Sequence, residues 1–175
     1  FRFGSSTAFV CDQQSIELFS GSVFVRSRKI TNTLNFKGPE ASIRLSGAGS
    51  CLIDVEPNGG FKCVGLLGKI ILTFNEKSSA TILPGELVFT NLAENALSDK
   101  LVVDLHNLFE TSYLISGFSN SQSFLDSLKS VSESQKLFIG KTFDATVGSA
   151  KKSEAFEIIN ESEKSNTPSQ FSDDP

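Results

Sequence analysis

The chain has 175 residues, 39% of them hydrophobic and 21% charged, which is enough for one domain with a sizeable core and excludes a collagenous or wholly disordered protein. Its net charge of -4, from 16 Lys and Arg against 20 Asp and Glu, gives no broad positive field to neutralise phosphates, so nucleic acid is not an expected partner. One His and three Cys are a thin supply of ligands, since a closed zinc site would consume all four in a single cluster, so neither a metal nor another cofactor is expected, and no run of 18 apolar residues offers a membrane-spanning helix.

Ten of the 13 glycines lie at or before Gly85, and between Thr7 and Thr90 short apolar runs recur between turn signals. That spacing predicts an all-β unit. The predicted strands are Ala8 to Cys11, Ser15 to Phe19, Ser22 to Ser27, Ile30 to Phe36, Ala41 to Leu45, Cys51 to Glu56, Phe61 to Leu66, Lys69 to Phe74, Ala80 to Leu83 and Glu86 to Phe89. Ile43 and Leu45 alternate with Ser42 and Arg44, which puts the polar pair toward water. Between Cys51 to Glu56 and Phe61 to Leu66 stands Pro57-Asn58-Gly59-Gly60, and Asn-Gly at its centre predicts a type I′ hairpin. A turn centred there pairs Cys51 with Leu66 and Asp54 with Cys63. The two cysteines then lie on opposite faces of the ribbon and are not bonded to each other.

After Ala93 the period changes. Leu105, Leu108 and Phe109 fit one helix face, with Asp104 as N-cap and Gly117 as the stop. A second helix is predicted from about Ser123 to Ile139, with Phe124, Leu128 and Val131 at helical spacing and Gly140 as its stop. From Lys151 onward three Lys face four Glu and two Asp, and Ser, Asn, Thr and Pro dominate the last residues. The resulting organisation is a β-domain at 7–90, a helical extension packed on it at 91–140 and a flexible acidic tail at 141–175, within which Ala155 to Asn160 is a weak helix or strand candidate.

Four segments in order, Leu18 to Val25, Ala41 to Ser50, Gly60 to Ile70 and Ile82 to Glu86, make the stretch from Leu18 to Phe89 resemble the FecR domain. They are similar to that family's Gly-x-Val-x-Val strand, its central glycine strand, its Val-x-x-x-x-Gly-x-Val strand pair and its Leu-x-Pro-Gly-Glu-like turn. Ser46-Gly47-Ala48 replaces the family's common Arg-Gly-Thr, and Leu67 stands where Glu often precedes the later glycine. Leu101 to Phe118 resembles an extension of stand-alone, secreted FecR-like proteins. The resemblance implies a β-sandwich or twisted β-solenoid with one or two short C-terminal helices. It further implies a periplasmic or secreted, non-enzymatic interaction or sensory module of a bacterial cell envelope, whose partner is another envelope protein. An envelope structural or glycan-binding module is the competing expectation.

The reactive residues carry little chemistry by pattern. Three cysteines, Cys11, Cys51 and Cys63, allow at most one internal disulfide. His106 is the lone imidazole and has no Gly-x-Ser-x-Gly elbow to serve, so a surface or capping role is expected. Gly65 to Lys69 is too short for a phosphate loop and leads into a β-prone run, so it is expected to be a tight turn. Arg26, Arg28 and Lys29 read as a solvated edge, and Asp54 and Glu56 as an ordinary solvated face. The 16 Phe lack the polar handle of a sugar platform and are expected to be mostly core.

Overall fold

A computed structural model of the chain describes residues 1–28, 33–117, 122–142, 146–147 and 157–158. The protein is mainly β, with helices gathered toward the C-terminus. The strands are β1 (Arg2–Phe3), β2 (Ala8–Cys11), β3 (Ser15–Ser27), β4 (Leu34–Lys37), β5 (Ser42–Val55), β6 (Phe61–Phe74), β7 (Ser78–Ile82), β8 (Glu86–Asn91), β9 (Ala96–Leu97) and β10 (Leu101–Val102). They form one mixed ten-stranded sheet, antiparallel except where β3 runs parallel to β4.

Three strands span 13 or 14 residues, and each absorbs two runs that the spacing separates. The glycines between those runs are bends within strands, not turns. The N-terminal part of β3 pairs with β2 and β4, and its C-terminal part pairs with β1 and β5. Likewise β6 pairs with β8 through Lys62–Val64 and with β7 through Ile70–Phe74. The expected tight turn at Gly65 to Lys69 is therefore corrected: it is a bulged stretch inside β6, where Ser50 pairs with Leu67 and Cys51 with Gly65, leaving Leu66 unopposed. Gly47, opposite Ile70, has φ +103°, a conformation that side chains disfavour, and marks the bend in β5.

Bending lets one face of the sheet wrap a single interior cluster, drawn from both parts of the long strands. Val23 and Val25, Ile43 and Leu45, Cys51 and Ile53, and Leu72 and Phe74 alternate inward, and Phe36 and Phe61 are enclosed with them. Ser42 and Arg44 are exposed, as the alternation predicts.

In its central part the sheet is buried on the other face too. Phe24, Leu52, Val64, Leu66 and Leu87 lie under α1 (Leu105–Thr111), α2 (Tyr113–Ser116) and α3 (Gln122–Thr142). This double burial explains runs such as Cys51-Leu52-Ile53, which an exposed sheet face would break with polar residues. Phe124 meets Phe24 edge to face at 5.3 Å. Asp104 caps α1, its carboxylate accepting from the backbone N–H groups of His106 and Asn107. The Gln135 amide ties α3 to that end, accepting from Leu105 N–H at 3.0 Å and donating to Val103 O at 2.8 Å. One orphan donor of the first turn is thereby satisfied.

Several boundaries move. The sheet continues past 90 to Val102, the first helical stretch breaks at Ser112, and α3 runs through Gly140 instead of stopping there. Within the predicted tail, Thr146–Val147 pairs antiparallel with Glu157–Ile158; the rest of 143–175 lies outside the described residues, as does Lys29.

The hairpin turn differs by one residue from the type I′ expectation, and Pro57 is the cause. Gly59 N–H donates to Glu56 O at 2.9 Å, making Glu56 to Gly59 a turn with Pro57 in its second position, where a φ fixed near -65° fits type I. Gly59 follows at φ +81°, and Glu56 N–H donates to Gly60 O across a three-residue loop. Cys51 accordingly pairs with Gly65 and Ile53 with Cys63. Both cysteines thus point inward on the same face, not on opposite faces.

Candidate functional site

The residues weighed for chemistry are dispersed by the fold. His106 sits in the first turn of α1, its backbone held by the Asp104 cap. Among the described residues no group of three or more His, Cys, Asp or Glu converges as a metal site. Arg26 and Arg28 are exposed, and the Arg26 guanidinium lies 5.4 Å from the centre of the Phe124 ring, a cation–π contact onto α3 that the solvated-edge expectation misses.

Two surface features stand out. The first is β2, whose four residues Ala8, Phe9, Val10 and Cys11 are uncharged and all exposed. Among the described residues β2 pairs with β3 alone, so its other side is a free edge. The edge is held in place at both ends. Asp12 clips it to β3, accepting from the backbone N–H groups of Gln14 and Ser15 at 2.6 Å each and from the Ser15 hydroxyl at 3.0 Å. Those backbone bonds, then the hydroxyl bond, hold the Asp12 carboxyl below its ordinary pKa. At the other end Phe9 stacks on Phe3 of β1, with ring centres 3.7 Å apart. Phe1, Val10 and Phe19 add exposed apolar surface at 57%, 54% and 48%. The opposite edge of this part of the sheet, β7, is by contrast rich in hydroxyls, Ser78, Ser79 and Thr81.

The second feature is a cleft of about 460 Å³ where the helices leave the sheet uncovered, between Ser22, Leu52 and Asp54 on the sheet side and Leu108, Ser112 and Tyr113 on the helix side. Tyr113, the sole Tyr of the chain, is 78% exposed there. Beside it Lys62 Nζ lies 3.0 Å from Asp54 Oδ2 and 3.4 Å from Glu56 Oε1, with the Lys62 side chain only 11% exposed. Asp54 and Glu56 are therefore clamped by one ammonium on a half-buried face, which corrects the solvated-face expectation. The missed signal is cross-strand: Lys62 sits opposite Asp54 only in the shifted register. Lys62→Ala leaves two carboxylates side by side without a counter-charge. It is expected to lower stability by about 1–2 kcal/mol, between the values for exposed and buried pairs. Denaturant melts at low and at 0.5 M salt check this, the deficit shrinking as salt screens the repulsion.

No protein-family model and no curated protein sequence matches the chain. Among solved structures the chain is similar to two crystal structures of a putative anti-sigma factor from Parabacteroides distasonis. The one at 1.65 Å is 15% identical, with a TM-score of 0.39, over 50% of this chain and 40% of that chain. The one at 2.50 Å is 11% identical, with a TM-score of 0.39, over 83% of this chain and 79% of that chain. The match to the first thus spans less than half of that chain's length.

Proposed function

We propose that this chain is a non-enzymatic, extracytoplasmic interaction module of a bacterial cell envelope, FecR-like in kind, that takes an extended segment of another envelope protein along β2. The observation that carries this reading is the uncharged and exposed β2 edge, unpaired among the described residues and held in place by the Asp12 clip and the Phe3–Phe9 stack. Natural proteins commonly protect such an edge with Lys, Pro or a covering loop, because it templates pairing with another chain. Strand addition draws its affinity from main-chain hydrogen bonds and its specificity from alternate side-chain positions. Phe9 and Val10, on opposite faces of β2, offer an apolar position on each.

A photoreactive residue at position 10 tests it in the native envelope, with one at Ser79 on the hydroxyl-rich β7 edge as control. Protein adducts are expected from position 10 and not from 79, and Cys11→Lys, at an exposed β2 position, is expected to reduce them at least tenfold without changing the melting temperature by more than about 2 °C. Equal adducts from both positions, or adducts to polysaccharide alone, overturn the reading.

A glycan-binding module is the second reading, and Tyr113 favours it. An exposed aromatic with a polar handle beside a carboxylate is the combination that the abundant Phe cannot supply. Loss of polysaccharide retention on Tyr113→Ala, with β2 adducts absent, would select it.

A further inference from the structure

Cys51 and Cys63 are diagonal neighbours on the interior face of β5 and β6, because Cys63 faces Ile53 and Cys51 lies two residues earlier, facing Gly65. Gly65, across from Cys51, has no side chain, and the Leu83 carbonyl and the Ile82 side chain occupy the place one would take. The bulge beside Cys51 adds local twist to the pair of strands. Both cysteines are free thiols with 0% exposure in the same apolar cluster. The Cys51 thiol is the foremost cause, and burial the next, that push the Cys63 thiol well above its ordinary range. The third cysteine, Cys11, is exposed on β2 and apart from them.

We propose that Cys51 and Cys63 are a modification site, closing one intramolecular disulfide across β5 and β6 when the chain folds in the presence of a low-molecular-weight disulfide oxidant. One cysteine thiolate attacks a sulfur of the oxidant, forming a mixed disulfide and expelling one thiolate. The second cysteine thiolate attacks the protein-side sulfur, forming the Cys51–Cys63 bond and expelling the other. Two thiols have lost their protons and two electrons pass to the oxidant, which leaves as two thiols. Burial sets the order of events. In the native protein neither sulfur meets solvent and the Cys63 thiolate is scarce, so oxidation belongs to the folding chain, before β8 pairs with β6 and the bent sheet closes around the interior cluster. The ring closed has 13 residues, from Cys51 through Cys63, and is local in sequence. The inference needs the hairpin register and not the β2 reading.

The test is oxidative refolding of the whole chain. Reduced protein is unfolded in urea and diluted into glutathione with glutathione disulfide, free thiols are alkylated, and a tryptic digest is analysed without reduction. Trypsin cuts after Arg44, Lys62 and Lys69, so the Cys51 peptide, Leu45 to Lys62, stays attached to the Cys63 peptide, Cys63 to Lys69, only through a disulfide. The expected result is that linked pair, still present in Cys11→Ser, with a melting temperature about 6–12 °C above the reduced protein. The native reduced protein should react with a thiol reagent at Cys11 alone. Recovery of Cys51 and Cys63 both alkylated from refolded, oxidant-treated protein overturns the proposal, as does a bond from Cys11 to either.

Discussion

Phe36→Ala is expected to destabilise the protein by about 3–5 kcal/mol, the range for removing a large ring from a core that cannot collapse into the gap. Phe36 is fully buried on a strand of only four residues, with Ile16 of β3 opposite it on one side and Ile43 of β5 on the other. The Phe1 ring closes over it edge-on at 6.1 Å. Losing the ring opens a cavity between β3 and β5, so the melting temperature should fall by about 6 °C or more. Phe19→Ala is the matched control, since that ring is 48% exposed and its loss should cost under about 1 kcal/mol. Equal losses for the two variants in urea titrations would show that Phe36 is not in the core.

Gly47→Ala is expected to cost about 3 kcal/mol, although it adds one methyl group to a strand. The backbone there has φ +103°, and a Cβ on it would stand 2.5 Å from the carbonyl oxygen of Lys69 on β6. Backbone strain of this kind is worth about 1–3 kcal/mol, and the collision is with main chain, which cannot rotate away as a side chain does. Because the bend at Gly47 lets both parts of β5 face the same cluster, the variant should also lose protection of amide hydrogens in β7 and the end of β6, further from the hairpin. A variant as stable as the parent would mean that β5 does not bend at this residue.

The order of strands and helices was legible in the chain because hydrophobic period is local. Ala8 to Cys11 is a strand with those same bounds, the Asp104 cap lies where its spacing places it, and Phe124, Leu128 and Val131 share one packed helix face. Most of the Phe side chains whose burial is described divide as their lack of a polar handle predicts, with Phe24, Phe36, Phe61, Phe74, Phe109 and Phe124 in the core. The exposed rings of Phe1, Phe9, Phe19 and Phe89 went unmarked, since composition does not say which part of a sheet another element will cover.

What local pattern determined, then, was the β-rich body, its switch to helix after the sheet, and the turn between β5 and β6. Tertiary structure alone decided whether a glycine turns the chain or bends it: Gly21, Gly47 and Gly68 all carry positive φ within long strands, and only pairing along their whole length reveals this. It also decided register. Pro57 moved the hairpin by one residue, and with a side-chain period of two that single step turned Cys51 and Cys63 onto the same face and set Lys62 opposite Asp54. Hydrophobic periodicity depends on neighbours along the chain, whereas cross-strand partners depend on where the chain returns, and that is fixed by the packing of every layer at once.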